Sequence, residues 1–177
     1  MGFWKAMYFN AGEFEVIASQ TDEWNRGAYL VDALAHCSAC HSPRNLLGAE
    51  KTQLAMSGGE YIDQVNSEAR RPWAAPNITA TQRGLALWSH KDVKDYLKTA
   101  RNDFLESYGP MNEVIINSTS HLTQSDVNAM ATYLKDLPAI DESAGSAPTA
   151  LLMGRGRTVY NLHCGTCHLP TGEGDPK

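Results

Sequence analysis

Cys37-Ser38-Ala39-Cys40-His41 returns later in the chain as Cys164-Gly165-Thr166-Cys167-His168, and the two pentapeptides use all four cysteines of the 177 residues. No thiol is left for a structural disulfide, which excludes a disulfide-stapled scaffold. On a helix, positions i, i+3 and i+4 share a face, so Cys37, Cys40 and His41 can address one planar ligand together. Two thiols at this spacing form thioethers with porphyrin vinyl groups while the following imidazole approaches the iron, so each motif reads as a covalent haem c site. A redox Cys-x-x-Cys would need a βαβ setting, and none is visible in the pattern. A zinc site built from Cys37, Cys40, Cys164 and Cys167 has the right ligand count but leaves His41 and His168 without a role.

The rest of the chain is organised around these motifs. Residues 1–20 mix aromatic and small side chains without a period and are expected to form an extended lead-in. Thr21 or Asp22 offers a helix N-cap, and Trp24, Ala28, Val31 and Ala35 then follow at helical spacing up to the first motif. From Ser42 to Leu87 the chain is rich in Gly, Pro, Asn, Ser and Thr. A loop of that length is expected to wrap something, and a haem supplies the apolar surface; a surface insertion is the plainer alternative. Ser89-His90-Lys91-Asp92 predicts a capped helix over 90–102 with Val93, Tyr96, Leu97 and Ala100 on one face. Thr123-Gln124-Ser125-Asp126 predicts another, with Val127, Met130, Ala131 and Leu134 at i, i+3, i+4 and i+7 and Pro138 as its stop.

Residues 139–150 are small and polar and read as a linker. Arg155 to Leu162 is a short helical candidate leading into the second motif, so a helix followed by Cys-x-x-Cys-His occurs twice. The division expected is a lead-in over 1–20, a domain over 21–138, the linker, and the start of a second copy over 151–177. The residues from Leu151 onward are too few to bury a haem-sized core, so that copy is expected to be truncated; either the chain is a fragment, which is the favoured reading, or another polypeptide supplies the missing half.

Of the six methionines, Met130 lies on an apolar helix face, Met1 and Met7 in the lead-in, Met56 close to the first motif and Met153 beyond the linker. Met111 remains, after a Gly109-Pro110 turn that can present a thioether from non-helical backbone. It is the expected sixth ligand of the first haem, with His121 or His90 as bis-histidine alternatives. His36 and His163, directly before the first cysteines, are expected to be structural. Leu169 to Lys177 contain neither methionine nor histidine, so no sixth ligand for the second haem is visible.

A formal charge of −5 excludes a strongly basic nucleic-acid footprint. Hydrophobic content of 42% with 20% charged residues is ordinary for a globular chain. The longest apolar runs, such as Ala28 to Leu34, fall well short of the roughly 20 residues a spanning helix needs, so membrane association would be peripheral or through a partner. Met1 to Met7 lack the features of a secretory signal peptide. Haem attachment nevertheless implies export, and a location in the periplasm is inferred from that chemistry.

Several segments together carry a resemblance. They are Arg26-Gly27-Ala28-Tyr29-Leu30-Val31, His36 to Gly48, Ala75-Pro76-Asn77-Ile78-Thr79, Leu97-Lys98-Thr99-Ala100-Arg101, Gly109-Pro110-Met111 and Asn117 to Leu122. Over almost its whole length the chain resembles the multihaem cytochrome c subunit of membrane-associated bacterial dehydrogenases that oxidise alcohols, aldehydes, sugars or gluconate. The resemblance implies an all-α fold, a class I cytochrome c domain of helices and long loops around haem, followed by an incomplete second cytochrome c domain. It implies haem attachment at Cys37, Cys40, Cys164 and Cys167, and iron ligation by His41, Met111 and His168. Trp73, Asn77 and Trp88 sit where such domains contact haem edges or propionates, unless they only pack the core. The implied role is electron transfer without a substrate site, from a flavin, quinone or molybdenum catalytic subunit toward ubiquinone or another acceptor, at the periplasmic face of the inner membrane. A stand-alone dihaem carrier and a peroxidase-type haem enzyme are the rival functions.

Overall fold

The computed structural model describes residues 2–141 and 148–172. The chain divides into two compact units, Met1–Glu142 and Ser143–Lys177.

The first unit opens with α1 (Gly2–Tyr8), a helix where the sequence suggested an extended lead-in. Next comes α2 (Asp22–Ala28), started by Thr21, whose hydroxyl accepts from the Trp24 amide at 3.1 Å. The chain stays helical beyond Ala28 but widens into a π-helical turn over Tyr29–Leu34 before the one-turn α3 (Ser38–His41). After the hairpin described below come α4 (His90–Thr99), α5 (Pro110–Asn117) and α6 (Gln124–Asp136). The Ser89–Asp92 capping box starts α4, with the Asp92 carboxylate accepting from the Ser89 amide at 2.7 Å. Thr123 caps α6, which ends two residues before Pro138.

Helices α2 and α4 both pack on α6. Their apolar faces meet in one core of Ala28, Leu30, Val31, Val93, Leu97, Val127, Met130, Ala131 and Leu134. Each large aliphatic side chain buried there contributes about 1.5–3 kcal/mol. Cys37 of the first motif packs against this core.

The expectation of an all-α chain with a long loop from 42 to 87 needs correction. The chain is mostly helical, but that stretch contains an antiparallel hairpin of β1 (Gly59–Gln64) and β2 (Arg70–Ala75). Gly59 pairs with Ala75 and Gln64 with Arg70, which sets Tyr61 opposite Trp73. The turn is closed by Asn66, whose side-chain oxygen accepts from the amides of Glu68 and Ala69. Pro72 is tolerated because, in a sheet of two strands, every strand is an edge. Most of the hairpin is exposed, so there is no in–out alternation by which it could be recognised in the sequence.

The second unit contains α7 (Ala150–His163) and the one-turn α8 (Gly165–His168). Thr149 caps α7, and no residue of that helix is buried. Among the described residues no helix is long and apolar enough to cross a membrane.

Candidate functional site

The first motif sits on a single turn whose backbone is closed by the His41 amide donating to the Cys37 carbonyl at 3.0 Å. Cys37, Cys40 and His41 are all half-buried. Burial pushes the Cys37 thiol up to about 12, and the nearby Asp32 carboxylate adds to the effect. Burial raises Cys40 as well, so both sulfurs are protonated at neutral pH. Burial acts on His41 in the opposite sense, lowering its affinity for a proton and keeping the imidazole neutral. Its Nδ1 lies 2.7 Å from the carbonyl oxygen of Pro76. A carbonyl can only accept, so the one ring proton is on Nδ1 and the lone pair of Nε2 is left for a metal.

The surrounding loops clamp this turn. The Gly58 amide donates to the His41 carbonyl at 2.8 Å, and the Met56 amide to the buried Ser42 hydroxyl at 3.0 Å. At the start of β1, a Cβ on Gly59 would fall 2.5 Å from the Cys40 carbonyl oxygen, so only glycine lets the strand approach the motif this closely.

Met111 is the second residue of α5, not part of a non-helical turn as expected. Pro110 takes the first helical position, where its missing N–H costs nothing and its fixed φ suits the helix; Gly-Pro here starts a helix as well as turning the chain. Met111 packs against the core, as do Cys37, Ile78 and Trp88. Of the alternative ligands, His121 is exposed with Nε2 2.9 Å from the Ile116 carbonyl, and His90 is exposed at the start of α4.

The three residues assigned to haem contact fare differently. Both ends of the Asn77 amide are engaged within the protein. Its nitrogen donates to Ile140 at 2.8 Å, and its oxygen accepts from the Thr79 amide at 2.8 Å and the Thr79 hydroxyl at 2.7 Å. Trp88 lies parallel to Phe104 with centroids 5.8 Å apart and edge-on to Tyr96 at 5.5 Å. Trp73 has a buried Nε1 without a hydrogen-bond partner. Sequence reasoning missed Pro76 as the partner of His41, because a backbone carbonyl carries no residue-type signal; its place in Ala75-Pro76-Asn77-Ile78-Thr79 was the one available hint.

The second motif has the same local turn, with the His168 amide donating to the Cys164 carbonyl at 2.9 Å. Cys164 is half-buried, while Cys167 and His168 are exposed. The Tyr160 hydroxyl donates to the Leu169 carbonyl at 2.8 Å and folds the end of the turn back onto α7.

No family model matches the chain. Individual proteins do. The fructose dehydrogenase cytochrome subunit of Gluconobacter japonicus is 34% identical over 98% of this chain and 39% of its own length. The gluconate 2-dehydrogenase cytochrome c subunit of Pantoea cypripedii is 32% identical over 97% of this chain and 42% of its own. The chain is homologous to dehydrogenase cytochrome c subunits. A dihaem cytochrome c-type protein of Cereibacter sphaeroides is also 34% identical over 80% of this cytochrome c homologue. The chain spans about two fifths of the length of each of these three relatives.

Cytochrome c relatives imply haem c, and the donor set of the first unit fits that group. Two protonated thiols and a neutral imidazole with Nε2 free share one turn. The orphaned indole N–H of Trp73 lacks an acceptor that a haem propionate would supply.

Proposed function

We propose that this chain is the electron-transferring part of a dehydrogenase cytochrome c subunit, with no substrate site of its own. In this reading, residues 21–138 form a class I cytochrome c domain, with haem c joined to Cys37 and Cys40 and ligated by His41 and Met111. The linker expected over 139–150 starts where Ile140 still accepts from Asn77, ends at Ala150 in α7, and between them includes residues 142–147, which lie outside the described residues; 151–177 begin a second cytochrome c domain carrying haem on Cys164, Cys167 and His168. The observation that carries the reading is the His41–Pro76 contact, which fixes the imidazole tautomer and leaves Nε2 as a ligand next to two neutral thiols.

Haem c bound there supplies a one-electron Fe(III)/Fe(II) couple. The polypeptide contributes the rest. Pro76 orients His41 and makes it more electron-donating. The core under Cys37, Trp88 and Met111 keeps the site dry. Histidine–methionine ligation raises the potential relative to a bis-histidine site. Electrons would come from a flavin, quinone or molybdenum catalytic subunit and leave for ubiquinone or another respiratory acceptor, at the periplasmic face of the bacterial inner membrane. The chain's similarity to the cytochrome subunits of fructose and gluconate dehydrogenases supports that assignment over a peroxidase or a free carrier.

The test is a redox titration of the haem-matured chain followed by peroxide addition. Reversible reduction with the first iron six-coordinate in both states, and no peroxide turnover, is expected. A five-coordinate first iron that reduces peroxide at enzymatic rates would overturn the reading.

A further inference from the structure

Gly109 has φ +64° and ψ −147°, a region essentially closed to other residues, and it lies directly against an indole. A Cβ placed there would fall 2.7 Å from both Cη2 and Cζ3 of Trp73 and 3.1 Å from Cε3. Two residues further on is Met111, joined to Gly109 through Pro110, whose ring locks φ. The path from the indole to the Met111 backbone is therefore short and has little rotational freedom.

Trp73 is itself held. It lies in β2 opposite Tyr61, and the Arg71 guanidinium sits 4.9 Å from its ring centroid while bonding Asp63 at 2.7 Å. Tyr108, next to Gly109 in sequence, approaches the same ring with centroids 6.1 Å apart. Three residues after Trp73, the same segment delivers the Pro76 carbonyl to His41. The stretch 73–76 thus touches His41 directly and, through Trp73, the glycine two residues before Met111.

We infer that Trp73 is a positioning residue for the sixth ligand: its indole is the surface on which Gly109 rests, and it fixes where the Met111 sulfur stands relative to the iron. The inference rests on the reading of Met111 as that ligand. Trp73 acts through Gly109, so losing its six-membered ring frees the methionine to swing off the iron while the thioethers keep haem attached.

The experiment compares the haem-matured chain with its Trp73→Phe, Gly109→Ala, doubly substituted and Met111→Ala variants. The readout is the far-red absorption band of methionine-ligated ferric haem and the imidazole concentration that halves it. Only methionine-ligated iron contributes to this band, so a second haem with a different sixth ligand does not interfere. Imidazole competes with Met111, so Trp73→Phe should lower the half-bleaching concentration roughly tenfold, in proportion to the larger fraction of detached methionine. Gly109→Ala should weaken the band further, and adding Trp73→Phe to it should cost less than on its own, because the removed ring makes room for the Cβ. An unchanged band and imidazole response in Trp73→Phe, with Met111→Ala lacking the band, would overturn the positioning role alone. A band that survives Met111→Ala would overturn the ligand assignment and this inference with it.

Discussion

Gly27 of α2 meets the backbone of Ala129 in α6 so closely that a Cβ on Gly27 would fall 2.0 Å from the Ala129 carbonyl oxygen and 2.8 Å from the Tyr133 Cβ. The obstacle is main chain, which cannot rotate away, so the two helices must separate to admit even one methyl group. Gly27→Ala should therefore destabilise the first unit by about 1–3 kcal/mol despite its better helix propensity. Thermal unfolding of the haem-matured chain checks this; an unchanged or higher Tm would show that α2 and α6 are not packed in this way.

Asn77 provides a second test, because its amide is spent on Thr79 and Ile140. Asn77→Ala leaves the amide of the nearly inaccessible Thr79 without its acceptor, at a cost of about 1–3 kcal/mol. The expected result is a lower Tm with full haem retention and an unchanged midpoint potential. A shifted potential with an unchanged Tm would instead support the role of haem contact suggested by the sequence.

Arg26 Nε lies 2.8 Å from Asp126 Oδ1, and this hydrogen bond, followed by that from Thr123, holds the Asp126 carboxyl below the usual carboxylate range. The unfolded chain then binds the proton more readily than the folded one. The pair thus stabilises the fold above about pH 4, and the contribution is lost as pH falls through the folded-state value. Arg26 is half exposed, which limits the effect to about 1 kcal/mol or less. Denaturation profiles of wild type and Asp126→Asn should differ at neutral pH and converge in acid. Divergence on acidification would contradict the pairing.

The helical frame was legible because its signals are local. Ser89–Asp92 and Thr123–Asp126 name their own caps, and Val93, Leu97, Val127 and Leu134 repeat at helical spacing. The two Cys-x-x-Cys-His pentapeptides were legible for the same reason. The hairpin was hidden because its two strands are largely exposed and carry no alternation. Pro110 was read as part of a turn because proline serves both turns and first helical positions, which concealed that Met111 lies in the first turn of a helix. The Trp73–Gly109 and His41–Pro76 contacts bring together residues more than thirty positions apart, and residue type alone could not pair them.

Covalent haem on these two motifs would show in the mass of the intact polypeptide. The chain would be exported to a periplasm equipped with haem-attachment machinery, then denatured so that only covalently held groups remain. The expected mass is that of the chain plus two haems, one for each Cys-x-x-Cys-His, with all four thiols blocked to alkylation. A bare polypeptide mass with all four thiols free would contradict it.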